Sequence, residues 1–220
     1  MNEIIYNNFN INIIENPFKH SLYKFFEEDL CNKLINNIKE IKHLLITDNK
    51  LSNSRFKINL FGDTKNGFEN IDFINKIKNI EPLYSIIKEY EQNISRKLYQ
   101  KYNNDNKNII SFCLMIVYDT QNYEIGPHTD SPNRNSTMVT YLGPKTNNNL
   151  GLIIYKDKIN RHANIWKKCH YSFDNFKPIK QVDYFPGSTV DFKVSNISFH
   201  GVPLIKESID RYSLQFFVKN

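Results

Sequence analysis

Cysteine is scarce in this chain. Its three cysteines, Cys31, Cys113 and Cys169, are an odd number without paired spacing, which argues against a disulfide framework and for a reducing compartment. Long apolar runs are lacking too. No stretch suffices to span a membrane, and the opening Met1-Asn2-Glu3-Ile4-Ile5 has neither the basic nor the continuous apolar region of a secretion signal. The chain is therefore expected to be soluble and cytoplasmic, with no membrane partner. A dense basic block is also missing. The net charge is +6 and the pI near 9.0, a balance that would tolerate an anionic partner. The lysines are scattered, however, and no base-stacking motif accompanies them, so a solvated lysine-rich surface accounts for the charge and nucleic acid is not the expected partner.

No internal repeat and no flexible linker divides the 220 residues, a length that suits one domain over 1–220. Its first part, about 1–105, reads as helical support. Glu27, Glu28 and Asp29 open a helix, where negative charge suits the positive end of the dipole. Leu30, Leu34, Ile35, Ile38, Ile41 and Leu45 give it an apolar face at helical spacing. Pro82 starts a second long helix, whose stripe is Leu83, Ile86, Ile87, Tyr90, Ile94 and Leu98. Short strands are expected at His20–Phe25 and around Phe56, Ile58 and Leu60, with turns at Gly62-Asp63 and Asn66-Gly67.

From about 106 to 220 strand signals dominate: Ile109–Tyr118, Met138–Leu142, Gly151–Tyr155, Gln181–Tyr184, Thr189–Val194 and Tyr212–Val218, punctuated by Pro, Gly and Asn. Helices first and strands afterwards indicate an α+β fold, with helices bracing one face of a jelly roll.

Within the strand-rich part, Pro127-His128-Thr129-Asp130 sets an imidazole and a carboxylate two residues apart. In a strand or at its exit, such residues point to one side and can reach one metal ion. A third ligand is available far downstream, at His200 in Ser198-Phe199-His200-Gly201-Val202. Two histidines and one carboxylate, with positions left open, form the ligand set of non-haem Fe(II) oxygenases. Arg211-Tyr212-Ser213 opens the last apolar run. The planar guanidinium of Arg211 can meet a carboxylate through two parallel hydrogen bonds, and Ser213 shares its strand face. Tyr118 and Tyr141 lie on strands flanking the H-x-D turn, where a phenol can bond a co-substrate or simply pack in the core.

These residues bring a resemblance into view. The C-terminal half resembles the Fe(II)/2-oxoglutarate-dependent dioxygenase superfamily. His128-Thr129-Asp130-Ser131-Pro132-Asn133 followed by Val139-Thr140-Tyr141-Leu142, with Tyr118 ten residues before the first ligand, is similar to its prolyl-hydroxylase-like branch. So are Asn16-Pro17-Phe18-Lys19-His20 and the helix holding Asp29-Leu30-Cys31. The resemblance implies a double-stranded β-helix (jelly-roll, cupin-like) core. It also implies Fe(II) held by His128, Asp130 and His200, 2-oxoglutarate as co-substrate near Arg211, Ser213, Tyr118 and Tyr141, and O2 as oxidant. The implied reaction is decarboxylation of 2-oxoglutarate to succinate and CO2, coupled as a rule to hydroxylation of a small molecule, sugar or protein residue. Two features depart from the branch. Procollagen-type enzymes hold 2-oxoglutarate with lysine where this chain offers Arg211, and Asn149-Leu150-Gly151-Leu152 stands where many relatives have a Gly-Gly pair. Prolyl specificity is therefore not carried over. The alternatives are a non-catalytic jelly-roll binding module and a nucleic-acid-directed oxygenase of the same fold.

Cys169-His170 near Trp166 lacks the C-x-x-C of a structural metal site, and adjacent strand residues point apart. The basic, aromatic segment 156–171 is expected to be a surface loop between core strands, in a place where a substrate loop often sits.

Overall fold

The computed structural model describes residues 13–47, 53–60, 71–102, 111–144, 150–159 and 170–219. Its strands, in chain order, are β1 (His20–Lys24), β2 (Ile46–Thr47), β3 (Arg55–Asn59), β4 (Ser111–Asp119), β5 (Ile125–His128) and β6 (Arg134–Gly143). They continue with β7 (Ile153–Asp157), β8 (Phe176–Gln181), β9 (Ser188–Lys193), β10 (His200–Val202) and β11 (Arg211–Lys219). The helices are α1 (Glu28–Glu40), α2 (Ile71–Ile77), α3 (Leu83–Glu89) and α4 (Ser95–Tyr102), the last two joined by a π turn over Tyr90–Ile94.

Two antiparallel sheets face each other. The larger has seven strands in the order β1-β9-β6-β11-β4-β3-β2, and the smaller has four, β5-β10-β7-β8. Strand neighbours far apart in sequence, such as β6 beside β11 and β9, give the jelly-roll winding expected of the strand-rich half.

The helices cover the outer face of the larger sheet. All six residues of the expected α1 stripe, from Leu30 to Leu45, pack there against Leu114, Ile116, Met138, Leu142, Leu214 and Phe216. So does the stripe from Leu83 to Leu98, with the π turn keeping Tyr90 and Ile94 in line with it. Each fully buried aliphatic side chain of this layer contributes about 2 kcal/mol by leaving water. A buried polar pin adds to it: Lys101 on α4 donates to both oxygens of Asp191 on β9, at 2.7 and 2.8 Å.

Alternate residues of the same strands face the other way. Val139, Tyr141, Val190 and Phe192 meet Ile125, Ile154 and Val202 of the smaller sheet, and Leu152 just before β7, in a second core. The larger sheet is thus covered on both faces, as expected for strands that read as nearly continuous apolar runs.

Several local expectations are corrected. The strand expected at Gln181–Tyr184 lies earlier, as β8, because it is an edge strand with a largely exposed run carrying Pro178 and shows no apolar alternation. The short β5, β10 and α2 were not anticipated. The expected turns at Gly62-Asp63 and Asn66-Gly67, and most of segment 156–171 including Trp166 and Cys169, lie outside the described residues. His170 is exposed, on the outside of the fold.

Candidate metal centre

β5 and β10 are adjacent in the smaller sheet, and His200 stands directly opposite His128 in their register. The ring centroids are 4.4 Å apart. Two glycines let these strands close on their neighbours. A Cβ on Gly126 would lie 2.3 Å from the Tyr171 carbonyl oxygen, and one on Gly201 would lie 2.8 Å from that of Ile125. Asp130 follows two residues after His128, just past the strand end. One ligand atom from each of His128, Asp130 and His200 lies within 4.8 Å of the others.

Both imidazoles are oriented by carbonyls. Nδ1 of His128 is 2.9 Å from the Gly126 carbonyl oxygen, and Nδ1 of His200 is 3.0 Å from that of Ser198. Each Nδ1 therefore carries the proton and donates it, which leaves the Nε2 lone pair for a ligand. Burial, then the neighbouring His200, pushes the His128 imidazole well below its ordinary range, so it stays neutral near pH 7.

Asp130 is held at both oxygens. Arg134 donates to Oδ1 at 2.7 Å and Thr137 donates to Oδ2 at 2.6 Å. Burial works against its charge, but Arg134, then the two imidazoles and Thr137, outweigh that cost and keep the carboxyl below its ordinary range. The Arg134 guanidinium also stacks 3.6 Å above the centroid of Phe217.

The three groups open onto a cavity of about 160 Å³, whose walls include Tyr123, Ile125, Val139, Leu152, Val202 and Gln215. Arg211 reaches it from the first position of β11 and is only 1% exposed. Its Nε donates to the Leu150 carbonyl at 2.7 Å, its Nη1 to Asp119, and its Nη2 to the Tyr141 hydroxyl at 3.3 Å. That hydroxyl also accepts the Leu152 amide at 2.8 Å, so the phenol stands behind Arg211 with its own proton still to donate. Ser213 is fully buried on the same strand face, and Gln215 reaches its hydroxyl at 3.5 Å.

Tyr118 is a correction. It packs with the helix-side core, stacked on Tyr212, where its hydroxyl accepts from Lys42 and donates to Asp210. Its β4 neighbours Met115 and Val117 face inward instead. An all-apolar strand buried on both faces shows no alternation from which to tell them apart.

Arg55, Asp119, Arg134 and Thr137 were missed by the sequence reading. One signal was available. In Arg55-Phe56-Lys57-Ile58-Asn59 the apolar residues alternate with polar ones, so once helices cover the apolar side the polar side must face inward.

The fold has solved counterparts. An oxidoreductase of the 2OG-Fe(II) oxygenase family from Burkholderia pseudomallei superposes with a TM-score of 0.54 at 12% identity, covering 91% of this chain and 84% of that one. HygX from Streptomyces hygroscopicus, solved with nickel and 2-oxoglutarate bound, gives 0.55 at 8% identity, with 91% and 82% covered. A prolyl hydroxylase from Trichoplax adhaerens, in complex with a hypoxia inducible factor peptide fragment, gives 0.51 at 14% identity, with 91% and 83% covered. No family model matches the chain, and no curated protein does. At such identities the likeness is one of architecture: this chain has the double-stranded β-helix fold of the 2OG-Fe(II) oxygenases.

Proposed function

We propose that this chain is an Fe(II)- and 2-oxoglutarate-dependent dioxygenase that oxidises, in the simplest case hydroxylates, a small-molecule, sugar or protein-residue substrate in the cytoplasm. The observation that carries the reading is the convergence of His128, Asp130 and His200 within 4.8 Å on a cavity that also receives Arg211.

The donors fit the group. Two imidazoles with Nδ1 committed to carbonyls and one ionised carboxylate suit a divalent first-row ion and leave positions open for other ligands. Bound there, Fe(II) and 2-oxoglutarate supply oxidative decarboxylation with O2, giving succinate and CO2. The chain's own part is to bind and orient. His128, Asp130 and His200 would hold the metal, and Arg134 and Thr137 fix the carboxylate. Arg211 would receive the distal carboxylate of the co-substrate, with Tyr141 bonded to its guanidinium and Ser213 two residues along the same strand face. Ile125, Val139, Leu152 and Val202 supply apolar wall to the same cavity. The HygX complex with nickel and 2-oxoglutarate supports the pairing of metal and co-substrate. The Trichoplax complex supports a protein residue among the substrate classes. Cys31 and Cys113, both buried and neither held in a disulfide among the described residues, accord with a reducing compartment.

The test is spectroscopic and chemical. Under anaerobic conditions Fe(II) plus 2-oxoglutarate should give the weak visible charge-transfer band of a chelated ferrous centre, and oxygen should then yield succinate slowly even without substrate. Folded, iron-loaded protein that gives neither would be a non-catalytic binding module.

A further inference from the structure

Arg55, Asp119 and Arg211 form one row across three strands. In the register of β3, β4 and β11, Arg55 lies opposite Asp119, and Asp119 lies opposite Arg211. The Asp119 carboxylate is fully buried and shared. Arg55 donates to it through Nε at 2.6 Å and through Nη2 at 3.0 Å, while Arg211 donates through Nη1. The Arg55 guanidinium also stacks 4.1 Å from the centroid of Tyr123. Both arginines line the cavity that His128 and His200 also line.

A carboxylate serving one guanidinium would cancel its charge and occupy its fork. Asp119 serves two, and its geometry favours Arg55, which takes both of its oxygens, over Arg211, which takes one. Arg211 therefore keeps charge and N–H groups for a further carboxylate. We propose that Arg55 is a positioning residue for the co-substrate: by drawing Asp119 to itself it leaves Arg211 free to hold one carboxylate. This rests on the dioxygenase reading, and it adds a residue pair that sets affinity and selects a singly charged terminal group. Without Arg55, Asp119 becomes the counter-ion of Arg211 alone and competes with the ligand from within the protein.

The consequence is a rescue that a merely structural arginine would not show. The full chain, loaded with Ni(II) as an inert metal, is titrated calorimetrically with 2-oxoglutarate. Arg55→Gln should weaken binding at least tenfold and leave Ni(II) affinity unchanged. The double variant Arg55→Gln/Asp119→Asn removes the internal competitor and should regain most of that loss. Asp119→Asn alone should bind 2-oxoglutarate at least as tightly as wild type, and this arm decides the matter should Arg55→Gln fail to fold. A double variant no better than the single one, or a folded Asp119→Asn that binds more weakly, overturns the proposal while wild-type binding preserves the dioxygenase reading. Wild type that binds Ni(II) but no 2-oxoglutarate overturns both.

Discussion

His200 stands directly across the β5–β10 ladder from His128, with their rings 4.4 Å apart between centroids. The closeness is set by backbone pairing, so it persists without a metal. Removing either imbalances the ligand set but not the ladder. His128→Ala or His200→Ala should each lower affinity for Fe(II) or Ni(II) by more than about a hundredfold, beyond what loss of a supporting partner costs. The circular dichroism spectrum should stay that of wild type. Tight metal binding by both variants in a competition titration would move the site elsewhere.

Asp130 supports the next expectation. Arg134 and Thr137 each bond one of its oxygens, so neither the charge nor the orientation of the carboxylate depends on the metal. Arg134→Ala and Thr137→Val should each weaken metal binding by about 10- to 100-fold, the usual effect of losing such a partner. Arg134→Lys should recover part of it, since it keeps the charge but neither the planar contact with Phe217 nor the fork. The same titration checks it.

A pH effect follows from His128. Burial and His200 hold its folded pKa below the ordinary 6.5. Below that pH the unfolded chain takes up a proton that the folded state does not. Stability of the metal-free protein therefore rises with pH through the window beneath 6.5 and levels above it. Melting temperature should fall as pH drops from about 7 to about 5, and His128→Gln should flatten that slope. Equal slopes in the two proteins would show that His128 does not titrate across this window.

The two tyrosines separate by strand face. Tyr118 bonds Lys42 and Asp210 on the helix side, whereas Tyr141 stands behind Arg211 on the inner side. Tyr118→Phe should cost about 1 kcal/mol of stability, the net worth of a hydrogen bond, and leave 2-oxoglutarate affinity unchanged. Tyr141→Phe should weaken 2-oxoglutarate about 5- to 10-fold by the same energy scale. Denaturant melts and anaerobic titrations distinguish the pair.

What could be read in advance tracks how local each signal is. The stripe from Leu30 to Leu45 was visible because helical spacing repeats along it, and all its members pack in the helix-side core, although α1 itself ends at Glu40 and Ile41 and Leu45 lie beyond it. His128 and Asp130 were visible because two residues separate them, and His200 because its company is distinctive. The strands that carry both histidines were not visible. Ile125-Gly126-Pro127-His128 and His200-Gly201-Val202 are short and glycine-bearing, and they are strands only because they pair with each other and, for β10, with β7. The Arg55–Asp119–Arg211 row joins residues 64 and 92 positions apart, and its logic exists only in the register of three strands. Tyr118 was misplaced because β4 is apolar on both faces, so its parity is fixed by the sheet rather than by the sequence.

Arg211 carries the last prediction. Its guanidinium is buried, and its bonds to Leu150, Asp119 and Tyr141 fix its plane at the cavity wall. A carboxylate taken into such a site exchanges water for the Arg211 guanidinium. Leaving a buried charge without its partner costs on the order of 3–5 kcal/mol. Arg211→Ala should therefore weaken 2-oxoglutarate by roughly a hundredfold or more, since about 1.4 kcal/mol is tenfold. Asp119 would not be orphaned by the change, because Arg55 still holds both of its oxygens. The fold should accordingly survive, and metal affinity should change little because Arg211 is not a ligand. Arg211→Lys should recover only part of the loss: a lysine keeps the charge, but it cannot bond Leu150, Asp119 and an incoming carboxylate in one plane. Titration of 2-oxoglutarate into the three anaerobic, iron-loaded proteins measures the order. Equal affinity in all three would make Arg211 a structural partner of Asp119 and place the co-substrate's distal carboxylate on another wall of the cavity.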